Sequence, residues 1–189
     1  MAYDSPGRLQ IVAETVALNG LMSGMYRSYV AGMRLRGDER VLELGPGSGA
    51  LTKHLVPVLK GGGHLTIVDV TPEWIERLRR RYAGERFVDF VCADLGEAPL
   101  QPESYDVAVA HWMLHDVDAK KRPGVVAALA ALLRPGGRLF VREPVKESHG
   151  MPAGEVTRLA TETGLREVSV EPGKSKLAGP FVAAVFAKA

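Results

Sequence analysis

The feature that most constrains this chain is a glycine-rich loop, Gly45-Pro46-Gly47-Ser48-Gly49, which directly follows the short apolar run Arg40–Leu44. The run has the length and composition of a buried strand, and residues 51–59 behind the loop have a helical pattern in which Pro57 marks a kink or an end. Alternate glycines let the backbone turn sharply and let a ligand approach the main chain. A helix that begins there directs its N-terminal N–H groups toward an anion. The loop therefore predicts a strand–loop–helix unit that binds an anionic group.

Strand and helix patterns alternate along the rest of the chain. Strands are predicted at 64–68 (closed by Asp69), 87–92, 105–110, 138–142, 166–171 and 181–187. Helices are predicted at 8–35 (with a break at Asn19-Gly20), 71–82, 119–133 and 153–163, and a turn at 134–137. This alternation predicts an α/β fold with a parallel sheet covered by helices on both faces. The last two strands have no helix between them, so we expect them to pair antiparallel.

Three acidic residues follow, or end, three successive predicted strands. Ligands of such a sheet bind beyond the carboxyl ends of its strands, which is where Glu43, Asp69 and Asp94 lie. Glu43 suits a cationic ammonium group, Asp69 suits two ribose hydroxyls, and Asp94 suits the exocyclic amine of adenine. Each also has a structural interpretation as a satisfied strand-end carboxylate, a turn cap or a helix N-cap. Together they favour a nucleoside that carries an amino-acid tail.

The glycine loop by itself has a second interpretation. The pattern Gly45-x-Gly47-x-x-Ala50 also satisfies the fingerprint of dinucleotide-binding proteins, and Asp69 lies about where their ribose-binding acid belongs. A nicotinamide-dependent oxidoreductase therefore remains an alternative, as does a cofactor-binding module without catalysis. Glu43 counts against a dinucleotide because a carboxylate is a poor neighbour for a pyrophosphate.

A resemblance to class I S-adenosylmethionine-dependent methyltransferases covers residues 36–189. It rests on the glycine loop with its strand, on the strand that ends in Asp69, on the fourth strand and on the turn into the fifth: Val41–Gly49, Thr66–Thr71, Asp106–Ala110 and Leu132–Leu139. The resemblance implies a Rossmann-like three-layer sandwich with a seven-stranded, mostly parallel sheet of order 3-2-1-4-5-7-6, in which strand 7 is antiparallel. It implies S-adenosylmethionine as cofactor. The residues expected to contact it are Glu43, Gly45, Pro46, Gly47, Ser48, Gly49, Asp69, Val70, Ala93, Asp94, Leu95, His111 and Trp112.

The N-terminal segment has a narrower resemblance. Leu18–Arg27 is similar to the N-terminal motif of the quinone C-methyltransferases of ubiquinone and menaquinone biosynthesis, although the glycine loop differs from theirs. We expect residues 1–35 to form a helical lid on a methyltransferase domain of residues 36–189. The lid residues expected to contact the substrate are Met22, Met25, Tyr26 and Arg27. A methionine-rich helix can equally belong to the core or to an oligomer interface.

Candidate acid–base residues follow the fourth and fifth strands. The pair His115-Asp116 resembles the His-Asp pair of plant-type small-molecule O-methyltransferases, in which the histidine is the general base. A histidine near its ordinary pKa can deprotonate a hydroxyl group, but it can also simply line the cofactor site. Glu143 follows the fifth strand and is expected to face the substrate. His111 and His115 have metal-ligand spacing, but they follow a strand, so no metal is expected.

Composition narrows the remaining classes of function. The formal net charge is +2, with no basic groove motif, so a small-molecule acceptor methylated on oxygen or carbon is favoured over a nucleic acid. The one cysteine, Cys92, excludes an internal disulfide and is expected to be a small buried residue. Neither a signal peptide nor an apolar stretch of membrane-spanning length is found, which predicts a cytoplasmic enzyme. The oligomeric state and the identity of the acceptor stay open.

Overall fold

The computed structural model describes residues 20, 22–146, 149–176 and 179–189. The helices are α1 (Ser23–Gly32), α2 (Thr52–Leu59), α3 (Pro72–Arg81), α4 (Arg122–Leu132) and α5 (Ala153–Glu162). The strands are β1 (Arg40–Leu44), β2 (His64–Asp69), β3 (Val88–Cys92), β4 (Tyr105–His111), β5 (Leu133–Lys146), β6 (His149–Gly150), β7 (Arg166–Ser175) and β8 (Gly179–Ala187). A turn of 3-10 helix covers Leu114–Asp116. The helix predicted before residue 20 lies outside the described residues.

The strands follow the order β3-β2-β1-β4-β5-β8-β7, and the short β6 pairs with β5 outside this path. Without β6, which the sequence did not predict, this is the predicted order 3-2-1-4-5-7-6. The last strand, β8, pairs antiparallel with both β5 and β7. The α/β class and the Rossmann-like topology are therefore confirmed. The chain divides into two compact units, Met1–Asp94 and Leu95–Ala189.

The first unit is built on three parallel strands. β1 pairs with β2, and β2 pairs with β3, in parallel registers. β1 and β2 are near-continuous apolar runs, which is the pattern of parallel strands covered on both faces. The helices contribute their apolar residues to the same core, and the fully buried members of that core include Val41, Leu42, Leu55, Leu59, Leu65, Ile67 and Leu78.

The second unit combines one parallel and three antiparallel pairings. β4 and β5 are parallel, while β5–β8, β8–β7 and the short β5–β6 pair are antiparallel. Its interior consists of small and branched side chains from the strands together with one face of α4, including Ala108, Val109, Leu129, Leu133, Leu139 and Phe186. No helix in the parts of the chain that the structure describes is long and apolar enough to cross a membrane.

The turn predicted at 134–137 lies inside β5 rather than before it. Tyr105 of β4 pairs with Leu133 and Val107 pairs with Arg138, so residues 134–137 bulge opposite the single residue Asp106. Gly136 has a φ of +77° there, and its N–H donates to the carbonyl of Lys188 at 3.0 Å. The prediction of a turn was right about the local bend, but the hydrogen bonding of the strand continues on both sides of it. α4 is correspondingly shorter than predicted, from Arg122 to Leu132.

Candidate functional site

The glycine loop after β1 has the backbone conformation that its sequence requires. Gly45, Gly47 and Gly49 have φ values of +66°, +50° and +79°, in the left-handed region that favours glycine. A Cβ atom on Gly49 would lie 2.5 Å from a side-chain carbon of Leu78, whereas one on Gly47 would meet nothing within 4 Å. A side chain at Gly49 would therefore force Leu78 of α3 to shift, while Gly47 borders space into which a ligand can approach.

Glu43, at the end of β1, is a buried carboxyl group. Its residue is 2% exposed, and its Oε2 accepts a hydrogen bond from the Thr52 hydroxyl at 2.8 Å. Burial raises the pKa of Glu43 to about 8, and the nearby charge of Asp69 adds to this, against the lowering effect of the hydrogen bonds from Thr52. A cationic group beside Glu43 would favour its charged form, so the site fits an ammonium group. Sequence reasoning missed Thr52, whose only signal was a hydroxyl at the start of α2.

Asp69, at the end of β2, forms hydrogen bonds with both the glycine loop and the turn that begins α3. It is 8% exposed, and its Oδ1 accepts the N–H of Thr71 at 2.9 Å. Burial raises the pKa of Asp69, while hydrogen bonds from Thr71 and from the backbone of Gly47 and Val70 oppose this. Thr71 occupies the predicted N-cap position, but its side chain makes no capping bond to the helix. Instead, the carboxylate of Asp69 receives the donors of this turn.

The ends of β2 and β3 carry accessible residues. Val70 is 41% exposed, and Asp94 is also exposed. The N–H of Ala93 donates to the carbonyl of Asp69 at 3.1 Å. Cys92 is exposed as well, so the prediction of a buried cysteine was wrong. The physical reason is that β3 is an edge strand of the sheet, so its C-terminal end lacks cover on one side.

The predicted substrate residues of the N-terminal segment divide into two kinds. Met22 and Tyr26 are buried, at 8% and 3% exposure, whereas Met25 is half-buried and Arg27 is exposed. The helix that carries them is attached to α2, since Ser23 Oγ lies 3.2 Å from His54 Nε2. Met22 and Tyr26 thus pack in the interior of this unit. Met25 and Arg27 are the two whose side chains remain accessible.

In the second unit, the turn after β4 is held by Glu143 of β5. Glu143 is completely buried. Its Oε1 accepts the N–H groups of Met113 and Leu114 at 3.1 and 2.9 Å, and its Oε2 accepts that of His115 at 3.3 Å. The sequence predicts that Glu143 faces the substrate. In the structure both of its oxygens bind the turn, because the three N–H groups converge on this side chain within β5.

His115 lies between two carboxylates. Its Nδ1 is 2.7 Å from Glu143 Oε2, and its Nε2 is 3.4 Å from Asp116 Oδ1. Burial by itself lowers the pKa of His115, but the hydrogen bond and charge of Glu143, with the charge of Asp116, give a net upward shift that Arg122 limits. When the ring is neutral and Nδ1 donates to Glu143, the lone pair is on Nε2, which can then accept a proton.

Arg122, at the start of α4, donates hydrogen bonds to the backbone carbonyl groups of the same turn. Its Nε donates to the carbonyls of Leu114 and Val117, each at 3.0 Å, and its Nη2 donates to that of His115 at 3.1 Å. Its Nη1 donates to the carboxylate of Glu155 on α5. The sequence held one unused signal: a cation in the first turn of a helix opposes the helix dipole, so it needs another partner.

The two residues that end β4 and begin the turn have unusual environments. His111 is 8% exposed, and burial, with the charge of Arg142, lowers its pKa to about 3, so its ring stays neutral. The ring of Trp112 lies 5.0 Å from it, tilted by 43°. Trp112 has a φ of +53°, which costs a residue with a side chain about 1–2 kcal/mol. Among the described residues, no group of three His, Cys, Asp or Glu side chains could hold a metal ion.

Comparison with known proteins identifies the family. Residues 42–141, more than half of the chain, match the family model described as a methyltransferase domain. The chain belongs to this family. Membership decides between the two interpretations of the glycine loop, because the segment that also satisfies the dinucleotide fingerprint lies inside the matched methyltransferase domain.

Individual relatives of this methyltransferase-family chain agree with that assignment. The demethylmenaquinone methyltransferase of Clavibacter sepedonicus is 33% identical over 105 residues, which cover 56% of this chain and 41% of the relative. The ubiquinone/menaquinone biosynthesis C-methyltransferase of Coxiella burnetii is 26% identical over 141 residues, which cover 70% of this chain and 56% of the relative. The chain thus spans about half the length of these curated relatives. The narrower resemblance to quinone C-methyltransferases is confirmed at the level of similarity.

A solved structure matches the methyltransferase fold over nearly the whole chain. The N-methyltransferase NodS from Bradyrhizobium japonicum, in complex with S-adenosyl-L-homocysteine, superimposes with a TM-score of 0.75 at 21% identity. The match covers 99% of this chain and 93% of that one. At this identity the likeness supports the fold, and the chemistry has to be argued from this chain's own residues.

Proposed function

We propose that this protein is an S-adenosylmethionine-dependent methyltransferase whose acceptor is a small molecule with an oxygen or carbon atom that must lose a proton. The observation that carries the acceptor chemistry is the 2.7 Å contact between His115 Nδ1 and the buried Glu143. The family and the names of the relatives support methyl transfer. The acid–base pair supports an acceptor that needs deprotonation, since a base is required only when the attacking atom carries a proton to be removed.

Most of the residues proposed to hold the cofactor belong to the first unit. Glu43 is assigned to the ammonium group, Asp69 to the ribose hydroxyls and Asp94 to adenine, while the loop N–H groups at Gly45–Gly49 receive the carboxylate. Bound S-adenosylmethionine supplies a methyl group activated by a sulfonium. The further proposed cofactor contacts are Val70, Ala93, Leu95, His111 and Trp112. The space beside Gly47 supports this assignment, because a methyl group there would reduce the room for a ligand.

His115 is proposed to act as the general base. Glu143 fixes Nδ1 as the donor, so Nε2 accepts the proton of the acceptor, and the carboxylate then stabilises the imidazolium that forms. Asp116 is half-exposed, and its negative charge further favours the charged ring. The substrate contacts proposed for the lid, residues 1–35, are Met25 and Arg27, the two accessible candidates. Met22 and Tyr26 are proposed to position that helix.

The experiment has two stages. Calorimetry with S-adenosylmethionine and with NAD tests the cofactor, and only the first is expected to bind. Release of S-adenosylhomocysteine is then measured with labelled cofactor against a panel of phenols, quinols, carbon acids, thiols and amines. Turnover with phenols, quinols or carbon acids supports the proposal. Cofactor binding without turnover on any of them would favour a non-catalytic module.

The variant that tests the base is His115→Ala. Its turnover is expected to fall by about 10²–10⁴-fold, the usual contribution of a general base, with cofactor affinity unchanged. The matched control is His64→Ala, which removes a histidine that also contacts a carboxylate, Asp89, at 2.8 Å but on the β2–β3 surface. Unchanged turnover of His115→Ala would exclude the general-base role.

A further inference from the structure

Two buried charged side chains form hydrogen bonds with the backbone of the turn that carries His115, one with its N–H groups and the other with its carbonyl groups. Glu143 receives the N–H groups of residues 113–115, and Arg122 donates to the carbonyl groups of Leu114, His115 and Val117. Both side chains are nearly inaccessible, at 0% and 8% residue exposure. A short turn with few internal hydrogen bonds is thereby fixed from its two polar sides, which leaves the backbone of His115 little freedom.

The geometry of Arg122 requires a guanidinium. Its Nε and Nη2 reach three carbonyls while Nη1 reaches both oxygens of Glu155, at 3.2 and 3.0 Å. A planar fork of N–H donors makes such contacts simultaneously, whereas the ammonium group of a lysine is a compact point charge with a different geometry. A Lys at this position would keep the positive charge but could not bind the turn and Glu155 in the same way.

A second arginine–glutamate pair on α5 provides an internal reference. Arg158 donates to Glu162 at 2.9 Å, one helical turn apart, with both side chains more than half exposed. Exposed pairs of this kind contribute little to stability. The Arg122–Glu155 pair is instead 10% and 14% exposed at the side chain, and its arginine also holds the turn. The two pairs share their chemistry and differ in what the arginine reaches.

We infer that Arg122 is a positioning residue for the candidate base: by binding the carbonyls of the turn, with Glu155 as its anchor on α5, it holds His115 where Glu143 can bind Nδ1. This inference rests on the proposed function, in which His115 is the base. It predicts that losing the guanidinium frees the ring even when the fold is kept. A merely structural ion pair would change stability and leave the state of His115 as it is.

The test compares Arg122→Lys, Arg122→Met and the control Arg158→Met by nuclear magnetic resonance of the histidine ring nitrogens. In the unaltered protein, neutral His115 is expected to be the Nδ1–H tautomer throughout. Both Arg122 variants are expected to give a mixture of tautomers. Arg122→Lys keeps the positive charge but loosens the Glu143 hydrogen bond that raises the pKa of His115, so its ring should titrate at lower pH than in the unaltered protein. Arg122→Met also lacks the positive charge that limits this pKa, so it should titrate at higher pH than Arg122→Lys, and the two variants separate geometry from charge.

Turnover provides the second readout, on an acceptor found with the panel above. Arg122→Lys is expected to lower kcat by about 100-fold, the scale of an ångström-sized misplacement, with the KM for S-adenosylmethionine unchanged. Arg158→Met should change neither kcat nor the ring spectrum. Where Arg122→Lys fails to fold, Glu155→Gln takes its place. Because it removes only the anchor, it should give a smaller decrease in kcat and a smaller change in the tautomers of His115.

Two outcomes separate this inference from the proposed function. Folded Arg122 variants in which His115 keeps its single tautomer would overturn the positioning role. Should His115→Ala keep full turnover, the base assignment fails, but the ring spectra of the Arg122 variants still decide whether Arg122 positions His115. The two assignments therefore fail in different measurements.

Discussion

Glu43 and Glu143 are the two most deeply buried carboxyl groups named above, and the protein treats them differently. Both lie near the carboxyl end of a strand, Glu43 in β1 and Glu143 in β5, and they are 2% and 0% exposed. Among the described residues, Glu43 receives its hydrogen bonds from Thr52. Glu143 receives three backbone N–H groups and the ring of His115. The carboxylate of Glu143 is thus stabilised by hydrogen bonds from the protein, whereas the pKa of Glu43 is strongly raised.

The difference indicates two kinds of role. Burying a charge is unfavourable unless hydrogen bonds or an opposite charge compensate. Glu143 has its compensation within the fold, so its role is to organise the turn around His115. The compensation of Glu43 is incomplete in the protein alone, which is the condition under which a cationic ligand gains most by binding beside it.

The largest expected effect is a loss of stability when Glu143 is substituted. Glu143→Gln replaces one acceptor oxygen by an amide NH₂ group, which is a donor. The N–H groups of the turn that faced this oxygen then lose their acceptor. Removing one partner of a buried charged network destabilises by about 3–5 kcal/mol, and denaturant unfolding should show a loss of that order. A loss below about 0.5 kcal/mol, the usual size of a surface substitution, would mean that the turn does not depend on Glu143.

The matched substitution Glu43→Gln should have the opposite effect on stability: at alkaline pH it should stabilise the protein. The folded-state pKa of Glu43, about 8, lies above the ordinary glutamate value of 4.5. Its stabilising contribution is therefore fully present below pH 4.5 and is lost as the pH rises through 8. The neutral amide has no such loss, so unfolding curves from pH 5 to 9 should show the variant gaining on the unaltered protein by a few kcal/mol. Parallel curves would contradict the raised pKa.

Replacing glycines of the loop tests whether that region is open to a ligand. Gly47→Ala should reduce cofactor affinity about tenfold or more while it costs the fold only about 1 kcal/mol, the strain of a left-handed alanine, because nothing lies within 4 Å of its Cβ position. Gly49→Ala should destabilise by more, since its Cβ would lie 2.5 Å from Leu78. Calorimetry and thermal unfolding of both variants measure the two effects. Equal losses of stability would contradict the assignment of open space to Gly47.

The smallest expected signal is a proton released when the cofactor binds. Near neutral pH, Glu43 is largely protonated, and a bound ammonium group lowers its pKa, so less than one proton per site should leave. Titration calorimetry at pH 7 in buffers of different ionisation enthalpy measures this number. Glu43→Gln serves as the control and should abolish the release. Equal heats in all buffers would show that Glu43 does not meet the cation.

Much of the fold could be predicted from sequence, because strands and glycine turns are local patterns. The order of the strands came from the family resemblance, and residues 40–49 and 64–82 folded as expected. The His115 site could not be predicted in detail. Glu143 reaches the turn across 28–30 residues of sequence, and Arg122 is an ordinary basic residue whose partners are carbonyl oxygens. Neither contact has a motif, since backbone groups are the same in every residue.

That separation along the chain also has a consequence for the order of folding. The turn at 113–115 obtains its acceptors only after β5, which carries Glu143 28–30 residues later in the chain, has docked beside β4. Contacts between distant segments require loop closure first and form slowly. The geometry of the candidate base is therefore among the later features to be completed, and a nascent chain that ends before residue 143 contains His115 without the carboxylate that orients it.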